Sequence, residues 1–473
     1  MNLNILDIVK AVGGRLLNPP GGKDSVVHVT SVSTDTRNIS DGALFVPIIG
    51  ENFDGHEYIQ MAQDNGAVCA LTERANILKN MGDDTGAIPL ILVQSTRRAL
   101  MDLAGYYRRL FDIKVVAVTG SAGKTTTKDM IYHILSQKFR TKKTQGNFNN
   151  EIGLPLSIFQ LEADDECLVL EMGMNHAGEI HALSLVGAPD IAVITHIGDA
   201  HIENFANREG ILHAKLEIVD GLHPNGTVIL NGDDPLLTGE IARHKTGAFE
   251  VLYPSANHIV ESLQIGLEES RCLFHWLGQD IRVTVPIPGA HMVMNALLAV
   301  AVGVKMGVAP DDMAQGFAAL TPASGRLTVE SANDMVIIND VYNANPQAMQ
   351  EAIRVICAHQ CHESTQQKCR KVAILGDMSE LGQMAAVRHR EVGAFALMAG
   401  IDLLVAIGPL SKEIFSGFTK GTNVETALYF ETVEPFLLDW PHILRPGDIV
   451  LVKASRSMAF EKITDALLAS PLR

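Results

Sequence analysis

The chain has 473 residues, of which 47% are hydrophobic and 19% charged, and this balance excludes an intrinsically disordered protein. Its length exceeds what one hydrophobic core usually supports, so about two to four domains are expected. The formal net charge of −16 disfavours nucleic acid and anionic membrane surfaces as partners, because like charges repel.

The first segment, MNLNILDIVKAVGG, lacks a basic start and carries Asp7 in its apolar part, so we interpret it as a helix and not as a signal peptide. No uncharged apolar run approaches the ~20 residues that span a bilayer. Both features predict a cytoplasmic protein without membrane insertion. The scattered cysteines are typical of a reducing compartment without a disulfide framework; they are Cys69, Cys167, Cys272, Cys357, Cys361 and Cys369.

Residues 1–112 mix short apolar runs with helical segments and contain no glycine-rich phosphate loop. The runs VVHVTSVS, GALFVPI, AVCALTE and PLILV are rich in the residues that favour strands. This composition predicts a small mixed α/β amino-terminal domain.

Residues 113–323 alternate near-continuous apolar strands with helices. The strand-like runs are KVVAVTG, ECLVLEMG, DIAVITHIG and TVILNGDD, and such runs are typical of a parallel sheet covered on both faces. A hairpin pattern, RCLFHWLGQDIRVTVPIPGAH, and an apolar helix, NALLAVAVGVKMG, follow. We predict a central parallel-sheet domain that resembles P-loop ATPases.

The segment TGSAGKTT follows the first of these strands and opens a helix, which predicts a polyphosphate site over Gly120, Ser121, Ala122, Gly123, Lys124, Thr125 and Thr126. Glycines let backbone N–H groups close around phosphate oxygens, and the helix start adds partial positive charge. Lys124 would reach the β- and γ-phosphates, and the Thr125 hydroxyl would bind Mg²⁺. Val118 replaces the first glycine of the general pattern, and the alternative is an ordinary strand-to-helix turn.

Hard metal ligands follow two further strands. Glu171 ends one of them, and His196, Asp199 and His201 follow the next. Ligands of open α/β sheets bind beyond the carboxyl ends of strands, so a carboxylate and an imidazole there could complete a magnesium site. The alternative is a capping glutamate and ordinary loop histidines.

Residues 324–473 repeat the alternation in DMVIIND, KVAILGD, DLLVAIG and DIVLVKAS, which predicts a Rossmann-like α/β carboxy-terminal domain. Lys453 and Arg456 lie at the last strand-to-helix turn and could hold an anion or simply be solvated. The segment between Cys357 and Cys369 contains cysteines and histidines, but its C-x₃-C spacing favours a polar connecting loop over a zinc site.

Ten motifs in order resemble the Mur ligases of peptidoglycan synthesis, and the resemblance runs nearly end to end. They are TDTRNISDGALFVPIIGENFDGHEYI, TGSAGKTTTKDM, TQGNFNNEIGLP, EMGMNHAGEI, AHIENFANREGILHAKLEI, PIPGAHMVMNALLAVAV, SGRL, INDVYNANPQAM, LGDMSELG with His389, and LVKASRSMAFEKI. The resemblance implies three domains: residues 1–112 for the UDP-sugar, 113–323 for ATP, and 324–473 for ATP and the incoming amine.

The resemblance also implies roles for single residues. For ATP it implies the loop residues 120–126 together with Asn295, Arg326 and Asp340. For magnesium, with two ions expected, it implies Thr125, Glu171, His201 and Lys215, the last as a carbamate formed with CO₂. Catalysis would rest on Lys124, Glu171, His201 and Lys215. For the other substrates it implies Thr36, Arg37, Asn147, Asn150, Glu151, Asn343 and Asn345.

The activity implied is ATP-dependent amide ligation, in which UDP-N-acetylmuramoyl-tripeptide is joined to D-alanyl-D-alanine through an acyl phosphate. The motif NDVYNANP stands in place of the Asp-Asn-Pro-Arg motif of the diaminopimelate-adding relative. A monomer with small-molecule partners is expected. Two alternatives are open: a folylpolyglutamate synthetase-like ligase, which is not expected to carry TDTRNISDGALF, and a P-loop NTPase without ligase activity.

Overall fold

The structure is a computed structural model that describes residues 1–17, 27–76, 88–266, 268–359, 369–420 and 426–469. These residues form two compact units. The first comprises 1–119, 139–193 and 216–228, and the second comprises 120–138, 194–215 and 229–473. No helix among the described residues is long and apolar enough to cross a membrane.

The first unit begins with a small mixed sheet. Its strands are β2 (Arg15–Leu16), β4 (Ser31–Ser33), β5 (Ala43–Phe45), β6 (Ala67–Thr72) and β7 (Leu90–Leu92), while β1 (Leu3–Asn4) and β3 (His28–Val29) pair in a separate two-stranded sheet. The helices of this part are α1 (Ile5–Ala11), α2 (Ile59–Asp64) and α3 (Thr96–Arg108). Five strands lie in the order β2-β7-β6-β5-β4, parallel from β7 to β4 and antiparallel at β2. The predicted mixed amino-terminal fold is confirmed.

The rest of the first unit continues with β8 (Lys114–Thr119), β9 (Thr141–Lys143), β10 (Cys167–Glu171), β11 (Ile191–Ile194) and β12 (Thr227–Leu230). With them are the helices α5 (Gly153–Ile158) and α6 (Glu179–Gly187). The strands lie in the order β12-β11-β8-β10-β9, and β10 pairs in parallel with both β8 and β9. All side chains of β8 after Lys114 are buried, as its unbroken apolar run predicts.

The second unit starts with α4 (Lys124–Leu135), α7 (Arg208–Leu216), α8 (Glu240–Thr246) and β13 (Glu250–Leu252). An antiparallel sheet of β14 (Ile259–Ile265), β15 (Ser270–Trp276) and β16 (Gln279–Val285) follows, then α9 (Ala290–Lys305) and α10 (Pro310–Ala318). The predicted hairpin is confirmed as β15 and β16. Helix α9 packs against α4, which is why nearly all of its side chains are buried.

The carboxy-terminal part of the second unit is a six-stranded sheet in the order β17-β18-β22-β19-β20-β21. Its strands are β17 (Thr328–Ala332), β18 (Met335–Asn339), β19 (Lys371–Gly376), β20 (Leu403–Ile407), β21 (Ala427–Phe430) and β22 (Ile449–Lys453). Its helices are α11 (Pro346–Ala358), α12 (Ala385–Ala399), α13 (Lys412–Thr419), α14 (Val433–Ile443) and α15 (Glu461–Ala469). All pairings are parallel except that of the edge strand β17, so the predicted Rossmann-like sheet is confirmed.

The cysteines differ in part from expectation. Cys69, Cys167, Cys272 and Cys357 are free thiols, but Cys369 takes part in one disulfide, which the sequence did not predict. The candidate zinc segment between Cys357 and Cys369 lies for the most part outside the described residues.

Candidate active site

The loop after β8 adopts a backbone that only glycine tolerates at two positions. Gly120 has φ +149° and Gly123 has φ +80°. A Cβ atom on Gly120 would lie 1.9 Å from the Thr195 hydroxyl oxygen, and one on Gly123 would lie 2.7 Å from the Asn295 amide oxygen. Both glycines are therefore required by close approach as well as by backbone conformation.

Residues that follow β11 hold this loop in place. The Ser121 N–H donates to the His196 carbonyl at 2.8 Å, and the Thr195 hydroxyl donates to the Ala122 carbonyl at 2.5 Å. Asn231, directly after β12, donates in turn to the Thr195 carbonyl at 3.0 Å. These bonds fix the conformation of the loop.

The start of α4 suits an anion. Gly123 is the N-cap, no acidic residue lies in the first turn, and the Thr125 and Thr126 side chains are buried. The Lys124 ammonium folds back and donates to the Gly120 carbonyl at 2.9 Å. Unpaired N–H groups and the helix dipole at such a terminus attract phosphate, so the predicted loop has the local geometry of a phosphate site.

Asn295 extends from α9 to the back of this loop. Its side chain is buried, and a Cβ on Gly123 would meet all three terminal atoms of its amide within 3.2 Å. The amide also lies 3.7 Å from the Met292 sulfur. Asn295 was predicted to bind ATP, and the structure places its amide against the phosphate loop. The contact with ATP stays a prediction.

Lys215 lies on α7 and is completely buried, with no hydrogen-bond partner for its Nζ among the described residues. Burial lowers the pKa of Lys215 well below its ordinary value, and the charge of Lys124 lowers it further. Both effects disfavour the ammonium form of Lys215.

His201 lies just before a short 3₁₀ helix, Ile202–Asn204, and adopts φ +62°. Its Nδ1 lies 2.7 Å from Oε2 of Glu380. The His201 ring beside it lowers the pKa of Glu380; burial opposes this, while the charge of Lys124 adds to it. Lys124, Lys215, His201 and Glu380 therefore belong to one electrostatic neighbourhood.

The other two candidates after β11 are occupied by protein partners. His196 Nδ1 lies 2.9 Å from Oδ2 of Asp234. The buried Asp199 carboxylate receives two bonds from Arg208, at 2.5 and 3.0 Å, and its Oδ2 lies 3.1 Å from Nε of Arg388. Asp199 thus joins two guanidinium groups and is not available as a metal ligand in this arrangement.

In the first unit, Glu171 is buried at the end of β10. One of its oxygens accepts from the Asn149 amide at 2.8 Å, and its backbone N–H donates to the Thr144 hydroxyl at 3.0 Å. A Cβ on Gly173 would lie 2.9 Å from the same Asn149 amide, so only glycine fits there. The carboxylate is held in one orientation.

The predicted muramoyl-facing loop carries Asn147, Asn150 and Glu151. The Asn150 side chain accepts from the N–H groups of Ile152 and Gly153 at the start of α5, at 3.2 and 2.9 Å. Glu151 Oε1 accepts from Arg97 Nη1 at 2.5 Å. Asn150 thus binds the backbone at the turn that leads into α5, and Glu151 is ion-paired to Arg97 of α3.

The predicted uridine-diphosphate region forms a 3₁₀ turn, Thr36–Asn38. The Arg37 side chain is 85% exposed and is bonded to Asp35, with Nη2–Oδ2 2.7 Å. This ion pair lowers the pKa of Asp35 to about 2 and raises that of Arg37. An exposed, preoriented guanidinium is suited to a phosphate ligand.

The carboxy-terminal candidates lie beside β18 and β22. The buried Lys453 ammonium donates to Asp340 Oδ2 at 2.6 Å and to the Asn343 carbonyl at 2.9 Å. The Arg326 guanidinium stacks 3.9 Å from the centre of the Tyr342 ring. Of the predicted basic pair, Lys453 is therefore inside the protein and structural, while Arg456 lies on the surface, 3.6 Å from Glu461.

Asn343 and Asn345 have local backbone partners. The Asn343 side chain accepts from the Ala344 N–H at 2.8 Å. Asn345 is the N-cap of α11 and accepts from the Ala348 N–H at 2.8 Å. Their predicted substrate role stays a prediction.

Sequence reasoning missed three residues that shape these sites: Thr195, Asn149 and Glu380. Each lies inside a motif that was quoted or directly beside a predicted strand end. None has a residue type or spacing that singles it out, because its importance comes from a partner distant in the chain. Glu380 is 179 residues from His201, so no local pattern links them.

A glycine-rich loop that opens a helix after a buried strand, with a Rossmann-like sheet further along the chain, defines a nucleotide-binding α/β protein. Three family models match the chain in succession: Mur ligase family, catalytic domain over 28–108, Mur ligase middle domain over 118–303, and Mur ligase, glutamate ligase domain over 325–456.

Individual relatives agree with the family models. The UDP-N-acetylmuramoyl-tripeptide–D-alanyl-D-alanine ligase of Bacillus subtilis is 38% identical over 471 residues, 99% of each chain. The crystal structure of MurF from Acinetobacter baumannii is 30% identical, covers 99% of each chain and superposes with a TM-score of 0.87. MurF from Thermotoga maritima, solved with ADP, is 28% identical over 92% of this chain and 96% of its own, with a TM-score of 0.78.

The chain belongs to the Mur ligase family. It is therefore an ATP-using ligase that forms amide bonds, as the sequence predicted.

Proposed function

We propose that the chain joins D-alanyl-D-alanine to UDP-N-acetylmuramoyl-tripeptide, with release of ADP and phosphate, as a step in peptidoglycan precursor synthesis. The observation that carries this is the 38% identity, over 99% of both chains, to a ligase of that name. The local chemistry of the phosphate loop agrees with it.

The reaction needs an activated carboxylate, because a carboxylate oxygen is a poor leaving group. The tripeptide carboxylate attacks the γ-phosphorus of ATP, the bond to the ADP oxygen breaks, and an acyl phosphate forms. The dipeptide amine then attacks the acyl carbon, loses a proton, and expels phosphate. The amine pKa of about 7.7–8.0 means that deprotonation at pH 7 costs only about 1 kcal/mol, so no strong base is required.

The phosphate loop and Lys124 would supply the positive charge that lets two anions, the tripeptide carboxylate and the γ-phosphate of ATP, approach each other. The N–H groups at the start of α4 would hold the phosphates. Lys124, now on the Gly120 carbonyl at 2.9 Å, would move to the transferring phosphoryl group. Exchange of a carbonyl for a phosphate is favourable because the new partner is charged.

Magnesium, when bound, would neutralise charge on the phosphates. Thr125, Glu171 and His201 are its proposed ligands, because a hydroxyl, a carboxylate and an imidazole are donors that such a cation can take. Lys215, buried and without a partner among the described residues, would contribute after reaction with CO₂. Two ions are proposed.

The domain roles are likewise proposals. We assign residues 1–112 to the UDP-sugar, 113–323 to ATP, and 324–473 to ATP and the dipeptide. The three successive family matches, with gaps at 109–117 and 304–324, support these boundaries. A cytoplasmic location and a monomeric state stay predictions.

The test is a phosphate-release assay with omission of each component. Phosphate should appear only when ATP, Mg²⁺, UDP-N-acetylmuramoyl-tripeptide and D-alanyl-D-alanine are all present, and the amide product should be visible by mass spectrometry. Glutamate with a folate substrate serves as the negative control for the related ligase class. Rapid phosphate release from ATP alone, unchanged by the other substrates, would refute the proposal.

A further inference from the structure

A short segment after β11 contacts both the phosphate loop and the carboxy-terminal part of the second unit. We call residues 196–199 the bridging segment. On one side of it, the Ser121 N–H donates to the His196 carbonyl at 2.8 Å, and the Ser121 hydroxyl donates to the Gly198 carbonyl at 3.3 Å. The conformation of the phosphate loop therefore depends on where the bridging segment lies.

On its other side, the bridging segment contacts α11. The Asp199 N–H donates to the side-chain carbonyl oxygen of Gln347 at 3.3 Å, although the two residues are 148 positions apart in the chain. A Cβ atom on Gly198 would lie 2.4 Å from the same oxygen. A little further on, the Glu203 N–H donates to the Glu380 carbonyl at 3.4 Å. The backbone of this region thus lies directly against the carboxy-terminal part of the second unit.

The Asp199 carboxylate adds an ionic contact between the same two parts. Arg208 of α7 donates to it through Nε and Nη2 at 2.5 and 3.0 Å. Arg388 of α12 approaches from the carboxy-terminal part, and its Nε lies 3.1 Å from Asp199 Oδ2. Because the Asp199 side chain is only 3% exposed, solvent ions screen this attraction less than they screen a surface pair.

The second guanidinium is not needed for charge balance inside the bridging segment. Arg208 alone neutralises the single negative charge of Asp199. Arg388 also has another carboxylate partner, Glu391 of its own helix, at 2.7 Å. The ion pair between Arg388 and Asp199 therefore serves chiefly to attract α12 to the bridging segment.

We propose that Asp199 is a positioning residue that couples the phosphate loop to α11 and α12, through Gln347 and Arg388. A nucleotide that orders the phosphate loop then also orders these two helices, and by linkage their contacts with Asp199 favour nucleotide binding. The inference rests on the proposed function for nucleotide phosphates as the ligand of the loop, but it does not depend on which substrates are ligated.

The first test is hydrogen exchange, followed by mass spectrometry, on the full-length wild-type chain and on Arg388→Met, each with and without saturating ADP. In both proteins ADP should slow exchange in α4, which reports that the nucleotide is bound. In α11 and α12 ADP should slow exchange by about fivefold in the wild type, the lower end of usual coupling strengths, and should have little effect in Arg388→Met.

The second test is ADP affinity, measured by calorimetry. Asp199→Asn and Arg388→Met should each weaken ADP binding by about 5–10-fold, and the double variant should be little weaker than either single one, because both changes remove the same contact. Arg388→Lys keeps the positive charge and should retain most of the affinity. The matched control is Glu391→Gln, which removes the exposed partner of Arg388 and should change ADP affinity by less than about twofold.

The coupling is wrong if ADP leaves exchange in α11 and α12 of the wild type unchanged, or if it protects them equally in Arg388→Met. Additive losses in the double variant would contradict it as well, since a purely local role of each residue predicts them. The exchange comparison does not require any variant at the buried Asp199 to fold. Failure of the proposed ligase reaction would appear instead in the phosphate-release assay, which none of these measurements uses.

Discussion

Lys215→Met tests whether the buried Lys215 amine reacts with CO₂ in the working enzyme or is only a buried part of the fold. In water a lysine of pKa ~10.4 needs about 4.6 kcal/mol to lose its proton at pH 7. In the fold Lys215 is 0% exposed and lacks a hydrogen-bond partner among the described residues. Burial and the charge of Lys124 lower its pKa, so that the loss of the proton costs less than in water. The neutral amine can attack the carbon of CO₂ and lose a proton, which leaves a carbamate anion.

Because it is buried, the free Lys215 amine also destabilises the folded protein. A buried, unpaired polar group costs about 1–3 kcal/mol, so in CO₂-depleted buffer Lys215→Met should raise the apparent free energy of unfolding by roughly that amount. The pKa of Lys215 is lowered in the native state, so the unfolded chain binds more protons below about pH 10.4. The stabilising effect of the substitution should therefore grow as the pH falls from that value.

Lys215→Met should lower ligase activity even though it raises the stability of the fold. Lys215→Met should have little ligase activity, and Lys215→Ala should be partly restored by added formate or acetate, which can replace the carbamate oxygens. Binding of ¹³CO₂, followed by ¹³C NMR, should give a signal that is absent from Lys215→Met.

The matched control for the CO₂ experiment is Lys128, which is also buried but has its Nζ 3.3 Å from Asp129 Oδ1. Its substitution should leave the ¹³C signal unchanged. A fully active Lys215→Arg, or a carbamate signal that survives Lys215→Met, would show that Lys215 is an ordinary buried lysine.

Three further outcomes are expected. Lys124→Ala should lower the ligation rate by roughly 10²–10³ while the protein stays folded, because one charge-stabilising group acts at the phosphoryl transfer; retention of a tenth of the wild-type rate would contradict this. Gly123→Ala should weaken ADP binding, measured by calorimetry, more than Gly400→Ala does: their φ values are +80° and +88°, but only at Gly123 would a Cβ meet another group, the Asn295 amide. His389→Gln should flatten the loss of thermal stability as the pH falls below 6.5. Burial lowers the pKa of native His389 below 6.5, so wild-type stability is present above that pH and is lost as the unfolded chain takes up the proton; an unchanged pH slope would refute this.

Local sequence patterns predicted those elements whose structure depends mainly on residues close by in the chain. The unbroken apolar run of β8 indicated a buried parallel strand, and the following glycines and Lys124 indicated a phosphate loop, because backbone conformation and helix dipole are local properties. The alternation of strands and helices in residues 324–473 was predicted in the same way. The edge strand β17 and the short strand β9 were not predicted, since brief polar strands carry little periodicity.

Long-range partners decided the rest. In the sequence, Lys215 lies in an ordinary helical segment, and either a solvated or a buried side chain is consistent with it. Only the packing of α7 removes it from water and leaves it near Lys124. Likewise Asp199 resembles a metal ligand until Arg208 and Arg388 are seen to bind it. The charge state of such a group depends on desolvation and on charges from distant residues, and these exist only after the chain has folded.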